Sequence, residues 1–137
     1  MTRCTHARMA LTLLAALPPA AHALDCKSTG TKATQADMSA CAYEDFLAAN
    51  AMQASAIKTL DARLKVSDRT RWRAAQKSWI AWRTTQCDFE TAAAAGGSVR
   101  EMLRWQCVTR LTKERTTAIE RLSNCAESEL ACPARKP

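Results

Sequence analysis

The sequence predicts an all-α fold, a small antiparallel three-helix bundle stapled by disulfides. Three stretches carry apolar residues at alternating steps of three and four, the spacing of a helix that buries one side. The connections between these stretches are short, near residues 65–66 and 96–97, and short connections make neighbouring helices antiparallel. With 137 residues the chain is long enough for one domain with a modest core.

The N-terminal segment has the features of a secretory signal. Arg3 and Arg8 precede a short apolar run, and the small residues of Ala21-His22-Ala23 provide a cleavage site. We therefore divide the chain into a cleaved signal peptide, residues 1–23, and one helical domain, residues 24–137. The apolar run is far shorter than the roughly 20 residues of a membrane-spanning helix. We expect a periplasmic or secreted protein with no transmembrane segment.

Loss of the signal peptide changes the cysteine count and the charge. Of seven cysteines Cys4 leaves, and six remain in the other 114 residues. An even number of cysteines in a short exported domain predicts three disulfides formed in an oxidising compartment. Arg3 and Arg8 also leave, so eighteen basic residues face thirteen acidic ones and the net charge falls from +7 to +5. The six cysteines are Cys26, Cys41, Cys87, Cys107, Cys125 and Cys132.

The remaining residues exclude several classes of enzyme. Both histidines, His6 and His22, belong to the predicted signal peptide. The domain therefore lacks the imidazole of a Ser-His or Cys-His catalytic pair and of a mixed Cys/His zinc site. No nucleophile motif stands out, which disfavours a hydrolase. We expect a non-enzymatic binding protein without catalytic residues, cofactor or metal, and nucleic acid is not an expected partner of an exported protein.

The first predicted helix begins at a capping signature. Thr34 precedes Asp37 by three residues, so the two side chains can satisfy free N–H groups at the helix start. The apolar stripe continues to about Leu64, and Asp45 interrupts it. The stripe consists of Met38, Cys41, Ala42, Ala49, Met52, Ala56, Leu60 and Leu64, with Phe46, Leu47 and Ile57 at its margins.

The second predicted helix is the centre of the bundle, because it carries three of the four tryptophans. Ser67 is a good N-cap, and Gly96-Gly97 provides the C-terminal stop. Large or apolar residues recur along one side and predict the seam that faces the other helices. This seam consists of Trp72, Ala75, Trp79, Trp82, Gln86, Phe89 and Ala93. The adjacent strip consists of Gln76, Trp79, Arg83, Cys87 and Glu90.

A third helix follows directly. Ser98 and Glu101 form a second predicted capping box, and the prolines of the tail after Asn124 are unsuited to further helix. The predicted core seam consists of Val99, Leu103, Cys107, Leu111, Ala118 and Leu122. The basic exterior of this helix consists of Arg100, Arg104, Arg110, Lys113, Arg115 and Arg121.

The strip beside the predicted seam of the second helix has two interpretations. Arginine and tryptophan dominate interface hot spots, so the strip could be the centre of a binding patch. We favour a structural interpretation, because Trp79 belongs to both strips and Cys87 is expected to be bridged. An arginine at such a position covers apolar area with its stem and pairs its head with an acid. Asp45 is the predicted partner of Arg83, since it interrupts the first helix's stripe at a similar level.

Candidate partner contacts lie near the ends of the second and third helices. Trp105 lies about 200° around the helix from Cys107, away from the predicted seam, and is flanked by Arg104. Either Trp105 contacts a partner, or the segment before the first helix folds over it. Asp88 and Glu90 project in different directions, which disfavours an acid-base pair and leaves both acids available to a partner.

The chain resembles a known family in the second helix and the segments around it. The run AAQKSWIAWRTTQCDFE at residues 74–90 and TKERT at residues 112–116 are similar to the lysozyme inhibitor LprI family, specifically to its N-terminal domain. The family-motif core consists of Gln76, Trp79, Arg83 and Cys87. Other matching positions are Asp25, Cys26, Thr34, Gln35, Met38, Cys41, Asp45, Leu47, Gly96, Gly97, Ser98 and Cys107.

The resemblance covers nearly all of the domain, with two departures. Ala48 and Ala51 stand where the family usually has an asparagine and a tyrosine, so a ligand contact that depends on this tyrosine is not expected here. The resemblance implies a small helical protein of the bacterial envelope, with lysozyme or another protein as its partner by analogy with the founding member. The alternative, based on charge, is a basic envelope module that binds anionic glycans or lipid headgroups.

The predicted bridges follow from the levels of the cysteines in the bundle. With connections centred near residues 65–66 and 96–97, three cysteines share one level. Six cysteines allow fifteen pairings, and a common height along the bundle leaves several of these pairings open. The bridge in the tail is predicted separately, because its two cysteines are close in the sequence. We predict the bridges Cys41–Cys87, Cys26–Cys107 and Cys125–Cys132.

Overall fold

The computed structural model of this chain describes Cys26, residues 33–126 and residues 128–134. Most of these residues lie in three α-helices, α1 (Gln35–Arg63), α2 (Val66–Glu90) and α3 (Arg100–Ser123). A short 3-10 helix, Ala92–Ala94, lies between α2 and α3, and the described ranges contain no strand. The predicted all-α helical bundle is confirmed. None of the helices in this part of the chain is long and apolar enough to cross a membrane, and the predicted signal peptide lies outside the described residues.

Local chemistry sets the start and the end of the helices. At the start of α1 the backbone N–H of Asp37 donates to Oγ1 of Thr34 at 3.2 Å, and the backbone N–H of Thr34 donates to the Asp37 carboxylate at 2.8 Å. This confirms the predicted capping box. The N-cap of α2 is Lys65 and not Ser67, because the extended linker is shorter than predicted. α2 ends at Glu90, before the predicted stop at Gly96-Gly97, and Gly96, with a φ of 79° that favours glycine, lies in the turn after the 3-10 helix.

The second predicted capping box is wrong. The N-cap of α3 is Val99, which has helical backbone angles, and no side chain of the described residues caps this helix. The backbone N–H of Arg100 donates to the carbonyl oxygen of Gly97 at 3.2 Å. The main chain therefore closes the turn before α3, and Ser98 stands one residue before the N-cap position.

α1 packs more closely on α3 than on α2, and small side chains make this approach possible. Ala42, Ala49 and Ala56 recur at every seventh residue of α1, and all three are buried. Buried threonines on α3, among them Thr109 and Thr116, are also small. Alanine and threonine fill little space, so the two backbones can lie close together without a void between them.

α2 packs on the α1–α3 pair through larger side chains. The guanidinium of Arg83 lies over the ring of Phe46, and the side-chain amide of Gln76 donates to Oε1 of Gln53 at 3.5 Å. From Phe46 to Gln53 the residue numbers rise along α1, while those of their partners on α2 fall from Arg83 to Gln76. This order is the one that the predicted antiparallel packing requires. One apolar cluster consists of Ala56, Leu60, Leu64, Trp72 and Ile119. A second consists of Cys87, Cys107, Val108 and Leu111, with Phe46 and Trp79 packed against it.

The predicted seam of α2 is only partly buried. Trp72 lies in the core, but from Trp82 onwards the seam is wrong, because Arg83 and Cys87 of the adjacent strip are buried there instead. Gln76, Arg83 and Cys87 are buried, whereas Trp82 is 49% exposed and Phe89 is 77% exposed. The pattern of large side chains favoured the wrong side, because two members of the true core strip are polar. Polar side chains can enter a core when hydrogen bonds satisfy them there, and a sequence does not show such partners in advance.

Three disulfides staple the fold. Cys87 on α2 is bonded to Cys107 on α3, with a Cα–Cα distance of 5.7 Å. The other bridges are Cys26–Cys41 and Cys125–Cys132, so the predicted tail bridge is confirmed. The predicted bridges Cys41–Cys87 and Cys26–Cys107 are wrong. Cys41 lies about 140° around α1 from Phe46, the residue that faces α2, and it therefore cannot reach Cys87.

Candidate functional site

Arg83 lies inside the bundle, and no carboxylate of the described residues pairs with it. Its side chain is only 9% exposed, and its terminal N–H donates to Oγ1 of Thr112 at 2.7 Å. The guanidinium carbon lies 5.0 Å from the centre of the Trp79 ring and 5.5 Å from that of Phe46. Burial lowers the pKa of Arg83 below its ordinary value, and the charge of Arg104 lowers it further. The predicted burial of Arg83 is confirmed.

The predicted ion pair between Arg83 and Asp45 is wrong. Asp45 is exposed on α1, next to Phe46, and the ring of Phe46 is what meets the guanidinium. Aromatic faces carry negative electrostatic potential and attract a cation, so they replace the carboxylate here. The Nε atom of Arg83 is buried and has no hydrogen-bond partner within the described residues.

A second arginine repeats this arrangement one turn away. The Nε–H of Arg115 donates to Oε1 of Gln76 at 3.1 Å. Its guanidinium carbon lies 5.1 Å from the ring centre of Trp72 and 5.6 Å from that of Trp79. Burial lowers the pKa of Arg115 as well. We call the resulting stack the arginine–aromatic ladder; it consists of Trp72, Arg115, Trp79, Arg83, Phe46 and Trp105.

The ladder contains two of the four residues of the predicted family-motif core, Trp79 and Arg83, and the other two lie beside it. Gln76, Trp79, Arg83 and Cys87 all lie on the buried side of α2, where they contact α1 and α3. Trp79 separates the two guanidinium groups, and Gln76 connects Arg115 to α1. This geometry supports the structural interpretation of the strip.

Trp105 packs against α1. The lead-in segment that was the alternative cover for Trp105 lies outside the described residues, except for Cys26. Its ring stacks on Phe46 at a centroid distance of 5.0 Å and touches Tyr43 at 4.7 Å. The guanidinium of Arg104 lies 5.7 Å from the same ring. Trp105 is therefore half-buried against α1, a contact that neither sequence-based alternative included, and its role as a partner contact stays a prediction. Tyr43 and Trp105 line a groove of about 650 Å³ between α1 and α3.

Asp88 and Glu90, the acidic residues predicted to contact a partner, form ion pairs with arginines of α3. Arg104 donates to Asp88 at 2.7 Å, and Arg110 donates to Glu90 at 2.8 Å. The hydrogen bond from Arg104 holds the pKa of Asp88 below its ordinary value. Hydrogen bonds from Gln86 and then Arg110 lower the pKa of Glu90 in the same way. These pairs bring three predicted contacts, Asp88, Glu90 and Arg104, to one junction between α2 and α3.

An exposed aromatic face is the feature that the sequence analysis missed. Trp82 and Phe89 are seven residues apart, so they lie on the same side of α2, about 10 Å apart along its axis. They are 49% and 77% exposed. Their place in the predicted seam concealed them, since a seam position is expected to be buried. We call this pair the outer aromatic face of α2.

Comparison with known proteins identifies the relatives of the chain. A protein of Rhizobium meliloti (strain 1021), named "Uncharacterized protein R02472", is 29% identical over 117 residues, which cover 76% of this chain and 82% of that protein. No solved structure matches the chain. The family described as "Lysozyme inhibitor LprI" matches residues 26–119, which include α1, α2 and most of α3 together with two of the three disulfides. The chain belongs to the lysozyme inhibitor LprI family.

Proposed function

We propose that this chain is an exported, non-enzymatic protein that inhibits lysozyme by binding it with the outer aromatic face of α2. Membership of the lysozyme inhibitor family supports a protein partner. The predicted signal peptide and the three disulfides support an extracytoplasmic location. The observation that carries the proposal is the exposure of Trp82 and Phe89 on a helix that is covalently fixed to its neighbour.

The helix presents these two rings rigidly. Cys87, which is bridged to Cys107, lies between Trp82 and Phe89 in the sequence and points to the opposite side, into the core. Aromatic residues on a rigid element lose little conformational entropy on binding and are frequent hot spots of interfaces. Exposure of large aromatic rings to water does not stabilise the fold, so the exposure of Trp82 and Phe89 favours a partner that covers them.

The charges beside the rings favour an apolar contact. Asp88 and Glu90 flank Phe89, but their carboxylates accept hydrogen bonds from Arg104 and Arg110. They therefore offer little free negative charge to a basic enzyme. The contribution of Phe89 to binding is expected to come from burial of its ring, with the two ion pairs forming a polar rim around it.

The test measures inhibition of cell-wall lysis by a basic lysozyme with the oxidised mature protein. Trp82→Ala and Phe89→Ala should each weaken inhibition about tenfold or more, the loss typical of an aromatic hot spot. Val66→Ala is the matched control, because Val66 is also 77% exposed and lies at the far end of α2. It should leave inhibition unchanged. Absence of inhibition at micromolar excess of the wild-type protein, or equal effects of all three variants, would contradict the proposal.

A second candidate function is binding of anionic envelope glycans or lipid headgroups. The predicted net charge of +5 supports it. The fold reduces the charge available for this purpose, because Arg104 and Arg110 are paired with acids and Arg115 lies in the arginine–aromatic ladder. Lys113 and Arg121 remain exposed on α3. Salt-sensitive binding to an acidic polysaccharide, without inhibition of lysozyme, would favour this function.

A further inference from the structure

A large cavity within the described residues lies at the opposite end of α2 from Phe89. It is an open groove of about 780 Å³ between the end of α1, the start of α2 and the tail loop that follows α3. Its walls include Leu60, Leu64, Trp72, Ala75, Leu122 and Leu130. Its volume lies in the range of roughly 300–1,000 Å³ that is typical of sites for small ligands.

The tail loop gives this groove an unusual wall. The bridge between Cys125 and Cys132 closes the loop, and Leu130 near its tip is 95% exposed. Leu130 lines the groove although it gains almost no shielding from the protein itself. A leucine held in this way on a short closed loop can be shielded from water by an apolar occupant of the groove.

The charged residues that line the groove are Lys65, Asp68 and Arg71. Arg71 is paired with Asp68 at 3.1 Å, whereas Lys65 is exposed and makes no ion pair within the described part of the chain. One further donor lies deeper, since Nε1 of Trp72 is buried and has no hydrogen-bond partner among the described residues. Within the described part of the chain, the groove thus combines apolar walls with one positive charge that no acid pairs.

We propose that this groove binds a single-chain anionic amphiphile, a molecule with one alkyl chain and a carboxylate head. The alkyl chain lies between Leu64, Trp72 and Leu130, and the carboxylate meets the ammonium group of Lys65. An apolar partner protein would not need the cation, and a fully polar anion would not use the apolar walls. This site is independent of the proposed inhibition of lysozyme, because Trp82 and Phe89 do not line the groove.

Binding is tested with dodecanoate below its micelle concentration, using the oxidised mature protein. A dodecanoate brominated along its chain should quench the fluorescence of Trp72 saturably, and the Trp72→Phe variant should lose this quenched fraction. Trp82 is the internal control, since it lies about 15 Å further along α2 and outside the groove. Quenching that is unsaturable, or that is unchanged in Trp72→Phe, would overturn the proposal.

Substitutions of exposed residues distinguish the binding of the ligand's carboxylate from the binding of its alkyl chain. Lys65→Gln should weaken dodecanoate binding about fivefold, the scale of one exposed charge pair, and should not affect dodecanol. Lys77→Gln, another exposed lysine on α2 that lies outside the groove, should change neither affinity. Leu130→Asp should weaken both ligands. Equal affinities of Lys65→Gln and wild type for dodecanoate would overturn the assignment of the head, and binding only to anionic vesicles would show a membrane-surface site instead.

Discussion

The guanidinium of Arg83 donates a 2.7 Å hydrogen bond to the hydroxyl of Thr112, and this hydroxyl donates in turn to the carbonyl oxygen of Val108 at 2.6 Å. Thr112 is fully buried, so one neutral hydroxyl supports a cation deep in the bundle. The rings of Phe46 and Trp79 supply the rest of the electrostatic compensation. This arrangement makes Thr112 a structural partner of the family-motif arginine.

Thr112→Val should therefore destabilise the fold by about 2 kcal/mol, because it leaves a donor of a buried cation without an acceptor. Thr112→Ser keeps the hydroxyl and should cost less. Asp45→Asn is the control for the pairing that the sequence predicted, and it should have almost no effect because Asp45 is exposed. Urea unfolding monitored by circular dichroism measures all three variants. A larger loss of unfolding free energy for Asp45→Asn than for Thr112→Val would favour an ion pair between Arg83 and Asp45 and contradict the contacts of Arg83 with Thr112 and the rings.

Arg83→Ala should destabilise the protein by about 3 kcal/mol, since it opens a void and removes two cation–ring contacts. Arg104→Ala removes an arginine whose ion pair with Asp88 is partly exposed, so its effect should be smaller. Arg83→Met retains the apolar stem and should fall between the two. Equal unfolding midpoints for Arg83→Ala and Arg104→Ala would show that Arg83 is not buried.

The limits of α1 and the existence of all three helices could be predicted from the sequence, because caps, stripes and glycines act locally. The rotation of α2 could not. Its buried strip contains Gln76 and Arg83, which become acceptable in the core only through Gln53, Thr112 and the aromatic rings. Such partners lie far away in the sequence, so periodicity alone favoured the side with Trp82.

The disulfide pairing was equally hard to predict. Levels along the bundle place Cys41, Cys87 and Cys107 together, but they do not give the direction in which each cysteine projects from its helix. Cys41 projects towards Cys26 and is bridged to it, which leaves Cys87 to bridge with Cys107. The pairing of Asp88 with Arg104 at the junction of α2 and α3 was not predicted for the same reason, since it depends on the directions in which the two side chains project.

Removal of the bridge between Cys87 and Cys107 by alanine substitution should cost about 3 kcal/mol or more. Removal of the bridge between Cys125 and Cys132 should cost less, about 2 kcal/mol. It joins residues 7 apart in the sequence, whereas Cys87 and Cys107 are 20 apart, and a shorter loop restricts the unfolded chain less. Cys87 is also fully buried, so its bridge supports the core. Chemical denaturation of the two double variants compares them. Peptide mapping without reduction should first recover the three observed pairs, and a peptide joining Cys41 to Cys87 would contradict the fold.

Acid should weaken the junction between α2 and α3. Asp88 and Glu90 have pKa values below the ordinary 3.8 and 4.5, so their ion pairs contribute stability above this range. That stability is lost as the pH falls through the lowered pKa values of the folded state. The melting temperature of the double variant Asp88→Asn, Glu90→Gln should therefore change less between pH 6 and about pH 3 than that of the wild type. Glu44→Gln, on the exposed side of α1, is the control and should keep the wild-type response.

Salt should increase the inhibition of a basic lysozyme up to moderate concentrations. The mature chain has a predicted charge of +5, and two positively charged proteins repel each other at long range, which slows association at low salt. Salt screens this repulsion within about 10 Å at 0.1 M, whereas the apolar contact of Trp82 and Phe89 is not weakened. Association rates measured by surface plasmon resonance should rise with salt, while dissociation rates stay nearly constant. A monotonic loss of affinity with salt would mean that exposed charge pairs hold the complex, and the role of the outer aromatic face would then be refuted.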